Sequence, residues 1–565
     1  MTAKLSGDID SGASPYGLIW AFWLALAWLT PSLTLPWPSF DRELLMAGAI
    51  LALAGVMSWP LGDGLKVPGA AWILCLVAGV PLAQWLAGLV PFLGDAIVSA
   101  AYVFGFACAL LLGANRPARG DWLTALMSAL VIGAIVSVGL QFHQWLQVNP
   151  GSLWVLALPP GARPFANLGQ PNLLSTLLVW GMLGLWWGVV RGAIGGSVAV
   201  LAGCWLACGL VMAQSRTVWI SGLICALIIA WQRNVVRLGR SWPALAVVIV
   251  TYGVGMAEWK ALNSSLLVAN VQTLASRTGS GELRLEHWSA LWQAIGERPW
   301  SGWGWNQVSV AQQHVAPALA RVPELLGYSH NLAIDLLVWN GLPLGVLLIL
   351  CCLCWLVRAA RSMRSAEDVL LFMALVVFGV HCLLEYPHAY SFLLLPAGLM
   401  AGALERARQS SITIPRWWLG VIVGLAALLL SALTVDYFAA RSSLERLRFE
   451  SAHVGPSRNS LPPRLPTLSQ LEAFLTVERI KELDKVEPAS LELMRVTSER
   501  FPTDTLILRY AIAAAAAGRT SDASRALVRL CKVYPATTCQ NARQAWNILA
   551  EKKYPAIRAT PFPDP

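Results

Sequence analysis

The chain has 565 residues, of which 56% are hydrophobic and 13% charged, with a mean hydropathy of +0.58. That much apolar surface cannot be hidden in one soluble core, so the composition excludes a water-soluble globular protein and reads as a polytopic membrane protein. The formal charge of +10 does not point to nucleic acid, because the basic residues sit in short loops between hydrophobic runs, where membrane topology accounts for them.

Spanning a bilayer takes roughly 20 apolar residues. Windows of that size lie near 17–36, 43–60, 69–90, 95–114, 122–147, 172–190, 194–213, 217–232, 242–260, 331–357, 366–384, 388–404 and 415–435. The reading is therefore an all-α chain with about thirteen transmembrane helices. The first run, Leu18 to Leu35, is long and lacks a small-residue cleavage site, so it is expected to remain as a signal anchor.

Sidedness of the basic residues sets the orientation. With the N-terminus inside, the cytoplasmic side receives Lys4, Lys66, Arg116, Arg119, Arg191, Arg233, Arg237, Arg240, Arg358, Arg361, Arg364, Arg406, Arg408 and Arg416. The short outer loops receive only Arg42, Arg163 and Arg216. An odd number of spans then puts the C-terminal part outside, which in a bacterial inner membrane is the periplasm. The 28 tryptophans suit anchoring at lipid interfaces and, secondarily, walls that hold sugar or lipid. Of the 11 cysteines, all but Cys531 and Cys539 lie in hydrophobic spans, where cysteine acts as a small apolar residue. Those two form either a disulfide, in an oxidising compartment, or two free thiols.

The expected division is a transmembrane domain over 1–438 and a soluble helical domain over 439–565. Two outer segments are longer than turns. One, Asn149 to Pro171, contains Arg163-Pro-Phe-Ala-Asn167-Leu-Gly-Gln170 and leads into Asn172. The other, 261–329, is a candidate binding loop or lid that contains Arg277, Arg284, Glu286, His287, Trp288, Pro299-Trp-Ser-Gly302-Trp-Gly304-Trp305 and His314. In the tail, apolar residues recur at helical spacing over 468–482, 489–500, 505–517 and 521–533. Ala489-Ser490 with Phe501-Pro502, and Ala523-Ser524 with Tyr534-Pro535, repeat at an offset of about 33–34 residues, which suits paired-helix repeats of the tetratricopeptide type.

An arginine beside hydrocarbon on the outer side costs several kcal/mol unless it is partnered. Arg216, in Gln214-Ser-Arg-Thr217 between two spans, and Arg163 and Arg284 on the same side, form a set of guanidinium groups suited to phosphate oxygens and hence to a pyrophosphate or other anionic ligand. The alternative is pairing with lipid head groups or nearby glutamates. His330 stands at the outward-facing N-terminus of the span at 331–357, where the helix dipole favours neutral imidazole, as a general base requires. Asn331 and Asp335 are placed to orient its ring, although Asn331 also suits a helix cap. Tyr386 and His388 occupy a short turn on the same face. The outer loops show no paired-aspartate motif, no zinc-spaced His/Cys cluster and no nucleotide phosphate loop. The expected chemistry uses neither metal nor cofactor and starts from a preactivated donor in the membrane.

Arg284-Leu-Glu-His-Trp288, Pro299-Trp-Ser-Gly302-Trp-Gly304 and Tyr328-Ser-His330-Asn-Leu together resemble the core shared by bacterial O-antigen ligases, O-antigen polymerases and protein O-oligosaccharyltransferases. Phe165-Ala-Asn167-Leu-Gly-Gln170-Pro-Asn172-Leu is similar to the signature of the PglL-type oligosaccharyltransferase branch, which also carries a helical periplasmic extension. The resemblance implies transfer of a glycan from an undecaprenyl-pyrophosphate carrier to a serine or threonine hydroxyl of a secreted protein such as pilin, for which a single inverting displacement is the expected mechanism. It implies that His330 is the catalytic histidine, Tyr386 an active-site tyrosine, and Arg216 and Arg284 the pyrophosphate contacts. Arg163, Asn167, Gln170, Asn172, Asn331 and His388 complete the expected substrate-binding set. Rival readings are a ligase acting on lipid A core, a glycan polymerase and, in another class, a transporter or flippase. The last would carry charges near the bilayer midplane and inverted repeats.

Overall fold

The computed structural model describes residues 15–58, 64–115, 122–149, 151–236, 242–265, 280–321, 324–405, 412–415, 417–454 and 461–563. Lys4, Arg116, Arg119, Arg237, Arg240, Arg277, Arg406, Arg408 and Arg416, used in the sequence reading, lie outside the described residues.

The helices follow in chain order. The first part holds α1 (Pro15–Leu29), α2 (Phe40–Ser58), α3 (Gly69–Ala78), α4 (Val80–Leu86), α5 (Leu93–Ala114), α6 (Trp122–Trp145), α7 (Pro171–Val190), α8 (Gly196–Ala213), α9 (Arg216–Trp231), α10 (Arg233–Val236) and α11 (Trp242–Ser265). Next come α12 (Ser280–Glu297), α13 (Val308–Val315), α14 (Leu332–Ser362), α15 (Ala366–Leu384), α16 (Ser391–Glu405) and α17 (Trp417–Ser451). The tail holds α18 (Ser469–Glu478), α19 (Pro488–Arg500), α20 (Asp504–Ala516), α21 (Thr520–Val533) and α22 (Ala536–Lys552). Among the described residues, the strands β1 (Leu65–Lys66) and β2 (Thr413–Ile414) form one antiparallel pair, so the fold is all-α in substance.

Among the described residues, nine helices are long and apolar enough to cross a membrane. The other expected windows hold the shorter apolar helices α1, α9 and α16, and α2, whose first turn carries Asp41 and Glu43. The main core joins α1, α2, α5 to α8, α15 and α16. Without water to drive association inside a bilayer, such helices pack where small residues let backbones approach. A side chain at Gly402 would collide with the Leu110 carbonyl, and one at Gly113 with that of Leu399, so α16 and α5 meet almost backbone to backbone. Tryptophan does more here than anchor at interfaces. Trp28, Trp180 and Trp187 are among the largest fully buried side chains. The indole N–H groups of Trp28 and Trp180 each donate to a main-chain carbonyl of another helix, of Phe392 and Ala374, at 2.8 Å.

α14 departs from the single span expected over 331–357. Gly341 breaks it with φ 71° and ψ −179°, and Pro343 follows two residues later. The turn Pro299–Gly304 fills the break. Leu342 N donates to Pro299 O at 2.7 Å, Trp303 N to Val338 O at 2.8 Å and Gly304 N to Trp339 O at 3.2 Å. Main-chain groups that the break would orphan are thus satisfied by this turn. The residues before the break pack with α12 and α13 in a separate core around Leu291, Trp303, Val338 and Trp339. His330 therefore sits at the head of a short half-helix docked on that layer, and the stretch left for the bilayer begins near Leu342.

α17 runs unbroken for 35 residues, about 52 Å at 1.5 Å per residue. That exceeds a hydrocarbon core of about 30 Å, so the helix continues into the tail, and the boundary expected at 438/439 falls inside it. Tyr437, Ala440, Leu465, Leu468 and Leu475 form a small core at that junction. Beyond it, α19 to α22 pack in sequence order around Met494, Tyr510, Leu527 and Trp546, and Cys531 and Cys539 form a disulfide. The tail grips the rest of the chain at specific points. Arg500 forms two bonds to Asp95, at 2.7 and 2.8 Å. Gln313 donates to Glu499 O, Arg321 to Cys531 O, and Lys532 to Leu319 O, at 2.7–2.8 Å.

Candidate active site

The site forms where the starts of α7, α9 and α14 meet the end of α15. His330 has φ 59°, the left-handed region that a non-glycine residue seldom adopts. Such strain costs about 1–3 kcal/mol and persists only where the surroundings dictate it. They do so here. Ser329 N donates to Asp335 Oδ1 at 2.8 Å, Ser329 Oγ to Asn331 O at 2.7 Å, and Trp288 Nε1 to Ser329 O at 2.9 Å. Asn331 Oδ1 caps α14 through Ala333 N and Ile334 N. Asn331 and Asp335, expected to orient the imidazole, instead fix the backbone that carries it.

The imidazole itself is oriented from α15. His330 Nδ1 lies 2.7 Å from Glu385 Oε2. The other carboxylate oxygen accepts from Arg284 Nη2 at 2.6 Å and from Asn172 Nδ2 at 3.1 Å. Asn172 Oδ1 in turn accepts from Ser215 Oγ at 2.9 Å, and Ser215 immediately precedes Arg216, the exposed first residue of α9. One hydrogen-bonded chain thus runs from Arg216's neighbour to His330 and Arg284. One turn before Glu385, His381 Nδ1 lies 2.7 Å from Thr176 Oγ1, which ties the end of α15 to α7.

Glu385 is nearly buried, and its side chain is 6% exposed. Burial alone would push its carboxyl up. The His330 hydrogen bond and charge, and the Arg284 charge, outweigh that and hold it below the ordinary carboxylate range. Tyr386 meets the His330 ring edge to face at 4.9 Å and stacks on Tyr328 at 5.0 Å. Burial, then the Glu385 charge, pushes the Tyr386 hydroxyl up, which favours its protonated form.

His388 stands behind this wall, edge on to Tyr328 at 5.6 Å and 3.8 Å from Asp335 Oδ2. Burial, reinforced by His381, pushes it down to about 3, so it is neutral and brings no charge to an anion. Asn167 is fully buried. Its amide donates to Leu29 O and Trp154 O and accepts from Leu156 N. Arg163 Nη1 donates to Ala213 O and Gln214 O at 2.8 and 2.9 Å, at the end of α8. Gln170 is the partly exposed residue before α7 and does not cap it. Of the expected set, His330, Arg284 and Asn172 share one network, with Arg216 next to Ser215 at its far end and Tyr386 against the His330 ring, whereas Asn167, Arg163 and Asn331 hold backbone. Among the described residues, no group of three or more His, Cys, Asp or Glu side chains could hold a metal ion.

Three family profiles match the chain: protein glycosylation ligase over residues 164–187, O-antigen ligase over 198–349, and the C-terminal part of the virulence-factor membrane-bound polymerase over 369–548. Two relatives come from Acinetobacter baylyi. A general O-oligosaccharyltransferase is 29% identical over 492 residues, 84% of this chain and 85% of the relative. A ComP-specific O-oligosaccharyltransferase is 28% identical over 388 residues, 68% and 70%.

These matches support a PglL-type O-oligosaccharyltransferase. The chain is accordingly a glycosyltransferase of the O-antigen ligase-like group, set in a membrane by many helices. The three matched segments of this oligosaccharyltransferase meet at Glu385. Asn172 lies in the first, Arg216, Arg284 and His330 in the second, and Glu385, Tyr386 and His388 in the third. Reading the sequence alone missed Glu385 and Ser215. The signal for Glu385 was available, since an acid at the edge of a hydrophobic span needs a partner as much as Arg216 does.

Proposed function

We propose that this oligosaccharyltransferase moves a glycan from an undecaprenyl-pyrophosphate carrier to a serine or threonine hydroxyl of a secreted protein such as pilin. His330 accepts the hydroxyl proton as the oxygen attacks the anomeric carbon. The bond from that carbon to the pyrophosphate oxygen breaks with inversion, and undecaprenyl pyrophosphate departs. Arg284 and Arg216 stabilise the charge that grows on it, and the protonated Tyr386 hydroxyl and Gln170 face the sugar. The guanidinium groups supply the positive charge that the leaving group requires, so no step calls on a metal ion. The observation that carries this reading is the linkage of the base and the arginine positions through one carboxylate and Asn172.

We place the enzyme in the bacterial inner membrane with thirteen crossings, the site and tail facing the periplasm. The skew of basic residues toward the opposite loops supports that orientation, as does the Cys531–Cys539 disulfide, which suits an oxidising compartment. The tail, read as a repeat module of the tetratricopeptide type, braces the loop before His330.

The test is reconstitution of the purified enzyme with lipid-linked oligosaccharide and either a pilin or a lipid A-core acceptor. Glycoprotein is the expected product, and exclusive modification of lipid A core would assign the chain to the ligases instead. His330→Ala is expected to lose about 10²–10⁴-fold in rate while still inserting in the membrane. A variant that transfers at a near-normal rate removes His330 as the base.

A further inference from the structure

We infer that Glu385 is the positioning residue of the transfer step, holding the proton of His330 on Nδ1 and Arg284 in place for the donor. The inference rests on the reading of His330 as the base. An ionised carboxylate can only accept, so the 2.7 Å contact between Glu385 Oε2 and His330 Nδ1 assigns the ring proton to Nδ1 and the lone pair to Nε2. Nε2 is then the atom that takes the acceptor's proton. The imidazolium that results keeps its counter-charge in contact, on the side away from the incoming sugar. Oε1 meanwhile fixes Arg284 Nη2 at 2.6 Å and Asn172 Nδ2 at 3.1 Å, so the base and one donor-binding arginine share a single anchor.

The anchor is itself constrained. Glu385 N donates to His381 O at 2.8 Å, and His381 is tied to Thr176 on α7. Asp335, five residues after His330, is engaged elsewhere. Asp335 Oδ1 accepts from Ser329 N, and its Oδ2 lies toward His388. The titratable and charged groups around Glu385 are His330, Arg284, His381 and Tyr386.

Steady-state kinetics of the full-length protein in vesicles carrying lipid-linked oligosaccharide test this with Glu385→Gln and Glu385→Asp, beside His330→Ala. Glu385→Gln is expected to lower kcat about 10²–10⁴-fold with donor KM raised less than tenfold. The acid limb of its pH–rate profile moves to lower pH, because the imidazolium loses its counter-charge. Glu385→Asp keeps the charge and recovers at least part of the loss, and it carries the same test if the Gln variant is unstable. Glu385→Gln at a kcat within threefold of the parent, with an unmoved acid limb and an inactive His330→Ala, overturns the inference and leaves the base standing. An active His330→Ala overturns the reading beneath it.

Discussion

Glu385 forms hydrogen bonds to residues 55, 101 and 213 positions away in the chain, namely His330, Arg284 and Asn172. Because these partners hold its carboxyl below the ordinary range, its protonation is linked to stability. An unfolded glutamate titrates near pH ~4.3. The unfolded chain therefore takes up a proton at higher pH than the folded one, and the stabilisation is complete above about pH 5 and lost as pH falls through the folded value. The thermal midpoints of the parent and of Glu385→Gln are expected to draw together as pH falls below about 5, as followed by thermal unfolding in detergent. Much of the rest of the site was legible residue by residue, because arginine and histidine beside hydrocarbon are out of place in any sequence. Asn167 misled for a physical reason. An asparagine in a loop looks available to substrate until the fold closes three backbone partners around its amide.

At the scale of elements, the break in α14 decides where His330 stands. An added Cβ at Gly341 would lie 2.7 Å from Pro299 O, on a backbone at φ 71°, where L side chains are strained. Gly341→Ala should therefore cost about 1–3 kcal/mol and displace the half-helix that carries the base. Activity is expected to fall more steeply than expression or membrane insertion, which a transfer assay beside a membrane-fraction blot would show. Equal loss of both would place the role of Gly341 in folding alone. The punctuation for this break was present in Asn340-Gly-Leu-Pro343, but continuous hydrophobicity on both sides concealed it. Helix ends in the tail were read to within about two residues at most positions. α22 escaped because its first two turns, Ala536-Thr-Thr-Cys-Gln-Asn-Ala-Arg, are mostly polar, and of its buried residues Cys539, Ala542, Trp546 and Ala550 only Trp546 is large.

For the whole molecule, membrane class and tail could be read from hydropathy, but the seating of one on the other could not, because it depends on pairings such as Asp95 with Arg500. Asp95 is 3% and Arg500 20% exposed. Removing one member of a buried pair leaves an uncompensated charge and costs about 3–5 kcal/mol. Arg500→Ala should thus expose the tail to limited proteolysis, and Asp95→Ala/Arg500→Ala should be protected relative to it. Equal cleavage of the single and double variants would show that the pair contributes nothing to docking. The network at Glu385 also fixes an order of events during synthesis. Asn172, Arg284 and His330 all leave the ribosome before Glu385 does, so a nascent chain halted ahead of α15 carries the base and both arginines but neither Tyr386 nor the carboxylate that aligns them. Catalytic competence is acquired late, when translation has passed the final third of the polypeptide's threshold.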